Sequence, residues 1–211
     1  MFSPSFLDHR HGPLNDNYLE KLEFIINNAL ADHPRTFAVR ADLRLSPTWF
    51  NNDMPPCNPN LSPDLMTRFI RSLMAKIESY RQRLTKQGKR TYPCTLRYYW
   101  VREIETLDYP HYHTLLFFNK DLFWQLGRFD PASQDLSAMI QQAWLSALGL
   151  HGYDEYRALV HFPDNPTYVL DRSKPDFDDH YKAFVFRASY LAKDRSKVYS
   201  ASDRSIGYSQ K

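Results

Sequence analysis

The order in which the chain changes its hydrophobic period limits its fold more than any other feature. From about Asn15 to Ala31, Tyr18, Leu22, Ile25, Ile26 and Ala29 recur at the spacing of one buried helical face, and His33-Pro34 closes the run. Thr36 to Leu45 then alternates. Phe37, Val39, Ala41, Leu43 and Leu45 fall on one side of an extended chain and Arg40, Asp42 and Arg44 on the other, as in a half-buried strand. Ser46 to Pro63, with five prolines and four asparagines, reads as a loop. Ser62 caps a long helix that starts at Pro63, and its stripe of Leu65, Phe69, Leu73, Ile77, Tyr80 and Leu84 stops before Gly88. Cys94 to Glu105 and Tyr112 to Phe118 read as the strands of a hairpin around Thr106 to Pro110. A helix opened by Asp130-Pro131 buries Leu136, Met139, Ile140, Ala143, Trp144 and Ala147 and ends at Gly149. Arg157 to Phe162 follows as a strand, and about Asp176 to Lys193 as a helix.

After the first helix the order is therefore strand, helix, strand, strand, helix, strand, helix. That order predicts an α+β fold, a ferredoxin-like (split β-α-β) antiparallel sheet with helices on one face and an additional C-terminal helix. Residues 1–35 read as an N-terminal helical extension packed on the domain, 36–197 as the domain, and 198–211 as a flexible tail.

With 14 Phe, 14 Tyr and 4 Trp in 211 residues, the chain has the material for a real core and is not a disordered one. No apolar run approaches the roughly 18 to 20 residues that cross a bilayer, and the start lacks a basic segment followed by an apolar one. The expectation is a cytoplasmic protein with no membrane partner. Cys57 and Cys94 stand alone, without the spacing of a zinc or redox pair. The net charge of +3 hides an uneven distribution. Residues 68–102 set Arg68, Arg71, Lys76, Arg81, Arg83, Lys86, Lys89, Arg90, Arg97 and Arg102 against Glu78 alone. Such a field attracts a phosphate backbone, although a solvated helix face would look the same.

Two stretches carry chemistry. In Pro110-His111-Tyr112-His113-Thr114-Leu115-Leu116-Phe117-Phe118 the two histidines of a strand-forming run point to the same face, a natural pair of ligands for a divalent ion. If the hairpin turns around Leu107-Asp108, Glu103 falls across from them as a third ligand, and Glu105 lies on the same face nearer the turn. Exposed strand histidines without a ligand are the plain alternative. The second stretch is Arg187-Ala188-Ser189-Tyr190-Leu191-Ala192-Lys193, continuing to Lys197, in which helical spacing aligns Tyr190, Lys193 and Lys197. An ammonium one turn from a phenol can stabilise a phenolate or a phosphate under attack. An interfacial Tyr with solvated lysines is the alternative.

A His-hydrophobe-His strand followed by a helix bearing Tyr-x-x-Lys on such a sheet resembles the HUH endonucleases that initiate rolling-circle replication. Within them, Arg187-x-Ser189-Tyr190-Leu191-Ala192-Lys193-x-x-x-Lys197 with His111-Tyr112-His113 resembles the filamentous-phage and prophage group of YagK/YfjJ C-terminal or inovirus replication-type proteins. The resemblance implies that His111, His113 and Glu103 (or Glu105) hold Mg²⁺ or Mn²⁺ and that Tyr190 attacks single-stranded DNA at an origin or hairpin. It further implies that Lys193 assists on the phosphate, with Arg187 and Lys197 on the DNA backbone. Asp42 is either a group supporting this site or the partner of Arg40 or Arg44. With six glycines and no Gly-x-x-x-x-Gly-Lys-Ser/Thr loop, the chain has no nucleotide-driven motor, so a host or phage helicase and a polymerase would be its partners. A non-catalytic DNA-binding regulator on the same fold is the rival.

Overall fold

The computed structural model describes residues 2–49, 58–104, 110–130, 133–194 and 204–210. Its elements run α1 (Asp16–Asp32), β1 (Arg35–Leu43), α2 (Leu65–Lys86), β2 (Arg97–Ile104), β3 (Pro110–Asn119), α3 (Leu136–Leu148), β4 (Val160–His161), β5 (Thr167–Asp171), α4 (Phe177–Ser189) and β6 (Ile206–Tyr208). The fold is α+β, built on one six-stranded antiparallel sheet in the order β4-β1-β3-β2-β6, with β5 also paired to β1.

The expectation of helices on one face is corrected. α2 and α3 cover one face over Phe37, Val39, Ala41, Leu43, Trp100, Leu116 and Phe118. α1 and α4 cover the other over Ala38, Tyr99, Val101, Leu115 and Phe117. The physical reason lies in the central strands, where Leu115 to Phe118 is an unbroken apolar run, so both pleat faces must leave water. β1 is likewise buried on both sides rather than half-buried. The face it was expected to show to solvent holds the site described below. Aromatic edges lock each layer internally, Phe69 of α2 against Trp144 of α3 at 5.8 Å on one face and Phe117 of β3 against Phe184 of α4 at 5.9 Å on the other.

Element ends follow local chemistry. The Asn15 side chain accepts the Tyr18 N–H to cap α1, and Gly149, at φ 74°, ends α3 in the left-handed conformation. α2 begins after Asp64 rather than at Ser62, whose hydroxyl instead bonds Asn60 and Asp64. α3 begins at Leu136, beyond the Asp130-Pro131 expected to open it.

The fourth strand is in two pieces on one edge. β4 pairs with Asp42 and Leu43, and β5, which the sequence reading passed over, pairs with Arg35 to Val39. Between them the chain bulges at 162–166, and the Arg40 N–H donates to the Pro166 carbonyl at 2.7 Å. The stretch read as a flexible tail contains β6, paired with Tyr99, Trp100 and Val101 of β2. Gly207 lies against the Trp100 indole, where any side chain would collide.

Cys94 is partly buried beside the Asn119 N–H, and burial pushes its thiol up to about 11. At pH 8 only about a thousandth of it is thiolate, against roughly a quarter for an ordinary cysteine. In a Cys57→Ser variant, alkylation by iodoacetamide at pH 8 is expected to be at least tenfold slower in the native protein than in urea; equal rates would contradict this burial.

Candidate metal and tyrosine site

β2 and β3 assemble the core of the site by register. Glu103 pairs with His111, Val101 with His113, and Asp42 of β1 with His113 from the other side. Odd residues of β2 and β3 and even residues of β1 point to the α1/α4 face, so Glu103, His111, His113, Asp42 and Arg40 rise together at one end of the sheet. One ligand atom from each of Glu103, His111 and His113 lies within 4.8 Å of the others.

The donor set fits a small divalent cation. The two Nε2 atoms of His111 and His113 are 3.2 Å apart, and a Glu103 oxygen lies 3.4 Å from the His113 Nε2. Atoms bound to one ion at about 2.1 Å and at right angles would be about 3.0 Å apart. Behind the triad, the His113 Nδ1 is 2.6 Å from an Asp42 oxygen. A proton on Nδ1 donated to that carboxylate leaves Nε2 with its lone pair toward the triad, the usual support of a metal-binding imidazole. The closer partner of Asp42 is thus His113. The contact of Asp42 with Arg40 is a looser 3.7 Å.

Charge holds the cluster together. Burial raises the Asp42 carboxyl, but the hydrogen bond and charge of His113, with the charge of Arg40, outweigh it and bring it to about 2. For His113, burial favours the neutral ring, yet Asp42 and Glu103 outweigh it and raise its pKa. A carboxylate depressed on folding stabilises the fold fully above its unfolded value, 3.8, and that contribution is lost as pH falls through about 2. The stability of the parent relative to Asp42→Asn is therefore expected to shrink by about 2 kcal/mol between pH 5 and pH 2. Urea midpoints across that range measure it, and a pH-independent difference would refute it.

The tyrosine arrives from the last helix. α4 stops at Ser189, and Tyr190 to Ala192 form one 3₁₀ turn, after which Lys193 is extended, with φ −54° and ψ 134°. The expected continuous helix through Lys193 is thus replaced by a tight turn, which still places the Lys193 Nζ 2.6 Å from the Tyr190 hydroxyl. The same ammonium lies 3.1 Å from Glu103, whose side chain is fully buried. Burial lowers the Lys193 pKa, but Tyr190 and Glu103 outweigh it and hold the group above its ordinary value. Lys193 is therefore a charged bridge between the phenol and the triad. The ring of Tyr190 also meets His113 at 6.2 Å and the guanidinium carbon of Arg40 at 5.2 Å.

The first residues of the chain clamp this turn. The Asp8 N–H donates to the Ser189 hydroxyl at 2.9 Å, Asn15 N–H to the Ala192 carbonyl at 2.8 Å, and Asp194 N–H to the Pro13 carbonyl at 3.0 Å. His11 sets its ring edge-on to Tyr190 at 4.9 Å. Sequence reasoning missed His11 and Arg40, because only contacts between distant segments bring them here.

Arg187 donates to the Asp164 carbonyl at 3.1 Å, tying α4 to the bulge between β4 and β5. Lys197 and Glu105 lie outside the described residues. The basic helix α2 covers the opposite face from the triad, and several of its charges are used internally. Arg68 bonds the Ala147 carbonyl and pairs with Asp64, and Arg81 bonds the Tyr92 carbonyl and pairs with Glu78. No helix among the described residues is long and apolar enough to cross a membrane.

The profile of the YagK/YfjJ C-terminal domain matches residues 3–209. Among curated proteins, "Uncharacterized protein YagK" of Escherichia coli strain K12 is 40% identical over 200 residues, 95% of each chain. "Uncharacterized protein YfjJ" of the same strain is 32% identical over 197 residues, 92% of this chain and 93% of that one. No solved structure matches.

Proposed function

The chain belongs to the YagK/YfjJ C-terminal domain family, and we propose that it nicks and rejoins single-stranded DNA in the manner of the HUH endonucleases, through a 5′-phosphotyrosine. The observation that carries this reading is the line of contact from the Tyr190 hydroxyl through Lys193 to Glu103, which ties a candidate nucleophile to a two-histidine, one-carboxylate triad. The sheet order β4-β1-β3-β2, with α2 and α3 as the crossovers, reads as a split β-α-β, ferredoxin-like frame. β6 extends it, α1 and α4 back it, and the turn after α4 delivers the tyrosine.

In this mechanism Tyr190 gives its proton to solvent and its oxygen attacks the phosphorus of an unpaired strand. The bond to O3′ breaks, and the departing O3′ takes up a proton. A phosphotyrosine and a free 3′-hydroxyl remain. Lys193 stabilises the phenolate and then the charge on the phosphate. His111, His113 and Glu103 would hold Mg²⁺ or Mn²⁺, which supplies Lewis-acid polarisation of the phosphate oxygens. Asp42 fixes the His113 ring, and Arg187 and Lys197 serve the DNA backbone. Attack by a 3′-hydroxyl on the phosphotyrosine reverses the step and rejoins a strand. The free 3′ end is a primer for a polymerase, with strand separation by a host or phage helicase, in the cytoplasmic replication of a phage or other mobile element.

The test is incubation with a diverse pool of single-stranded DNA containing hairpins, with Mn²⁺ or with EDTA, followed by a denaturing gel. A covalent protein–DNA band that needs the metal supports the reading. DNA binding without such a band would transfer it to a non-catalytic DNA-binding regulator.

A further inference from the structure

Arg40 is the charged group at this site that the mechanism above leaves unused. It stands on β1 beside Asp42, turned to the face that carries the triad, and its side chain is only 13% exposed. Its Nε is buried and makes no hydrogen bond among the described residues. The nearest carboxylate, Asp42, is 3.7 Å from that Nε and is already engaged with His113 at 2.6 Å. Its guanidinium lies 5.2 Å from the Tyr190 ring centre.

A buried guanidinium N–H without an acceptor is costly, and the cost is relieved when a ligand brings an oxygen to it. Stacking against Tyr190 and burial on a central strand hold the fork in place. The planar fork matches the paired non-bridging oxygens of a phosphate better than a point charge does. His161 adds a second buried donor or acceptor on the same row. Its Nδ1 also lacks a hydrogen-bond partner among the described residues and lies 3.6 Å from the other Asp42 oxygen.

The geometry points to Arg40 as a phosphate-binding residue that grips the non-bridging oxygens of the phosphodiester to be attacked and seats it against Tyr190. The phosphodiester identity of the ligand rests on the nicking reading; the anion site itself rests on Arg40. The grip needs no metal, so it is measurable with EDTA present.

The experiment titrates thymidine 3′,5′-diphosphate into the full-length protein in EDTA and follows the Arg40 side-chain Nε–H by NMR, assigned by its absence in Arg40→Lys. The expected result is a saturable shift of that signal, with affinity about tenfold weaker in Arg40→Gln and partly retained in Arg40→Lys. Covalent adduct formation on DNA should fall in parallel, with melting temperatures recorded beside it. A wild-type signal that does not respond to the diphosphate overturns the proposal without any variant having to fold. So does an Arg40→Gln protein that folds and binds the diphosphate as wild type does. If the diphosphate shifts the Arg40 signal but wild type forms no adduct on DNA, the anion site stands and the nicking reading falls. If adduct formation survives unchanged in Arg40→Gln, the nicking reading stands and the role of Arg40 falls.

Discussion

Tyr190→Phe is expected to cut covalent DNA adduct formation by at least about a thousandfold, because in the proposed mechanism the removed oxygen is the attacking atom. The fold should survive. Lys193 keeps its contact with Glu103, and the lost hydrogen bond costs only about 1 kcal/mol. The variant should also keep its affinity for Mn²⁺, since the Tyr190 hydroxyl is outside the triad. A denaturing gel reads the first expectation, and a thermal melt with and without Mn²⁺ reads the others. Adduct persisting in Tyr190→Phe would move the nucleophile elsewhere.

Glu103→Ala is expected to have the largest effect on stability. The Glu103 carboxylate is fully buried, and both Lys193 and His113 lean on it. Removing it strands a buried ammonium, which costs about 3–5 kcal/mol when one member of a buried pair is deleted. Urea denaturation should show this as a lower midpoint with an unchanged slope. Glu103→Gln should lose less, since an amide oxygen can still accept from Lys193. The wild type is expected to melt at a higher temperature in Mn²⁺, and neither variant should show that rise. A wild-type melting temperature indifferent to Mn²⁺ and Mg²⁺ would remove the metal from the mechanism.

Much of the site was legible in the sequence because it depends on strand parity. His111 and His113 share a face in any strand, and a hairpin around Leu107-Asp108 must bring Glu103 opposite them, as the Glu103–His111 pairing shows. The role of Arg40 and Asp42 was not legible. Charged residues alternating with apolar ones on β1 resemble a solvent face, and only the arrival of α1, α4 and the N-terminal segment reveals that face as buried. β5 was overlooked because Pro166 and the bulge at 162–166 interrupt the strand pattern, although Thr167-Tyr168-Val169-Leu170 has strand composition. Lys193 was matched to Tyr190 by helical spacing, and the structure brings them together by a tight turn instead. That difference removes the basis for placing Lys197 on the same helical stripe.

The clamp on the tyrosine turn also bears on the history of each molecule. The bond from Asp8 to Ser189 joins positions 181 residues apart, so one partner has left the ribosome long before the other is made. Contacts of such separation carry a high loop-closure cost and suit the final stage of folding rather than its beginning. A nascent chain with most of its sheet assembled would still have an unsecured phenol. The arrangement proposed for cutting would thus be acquired last, and a chain shortened at either end would keep much of its core while losing the fastening of the tyrosine turn.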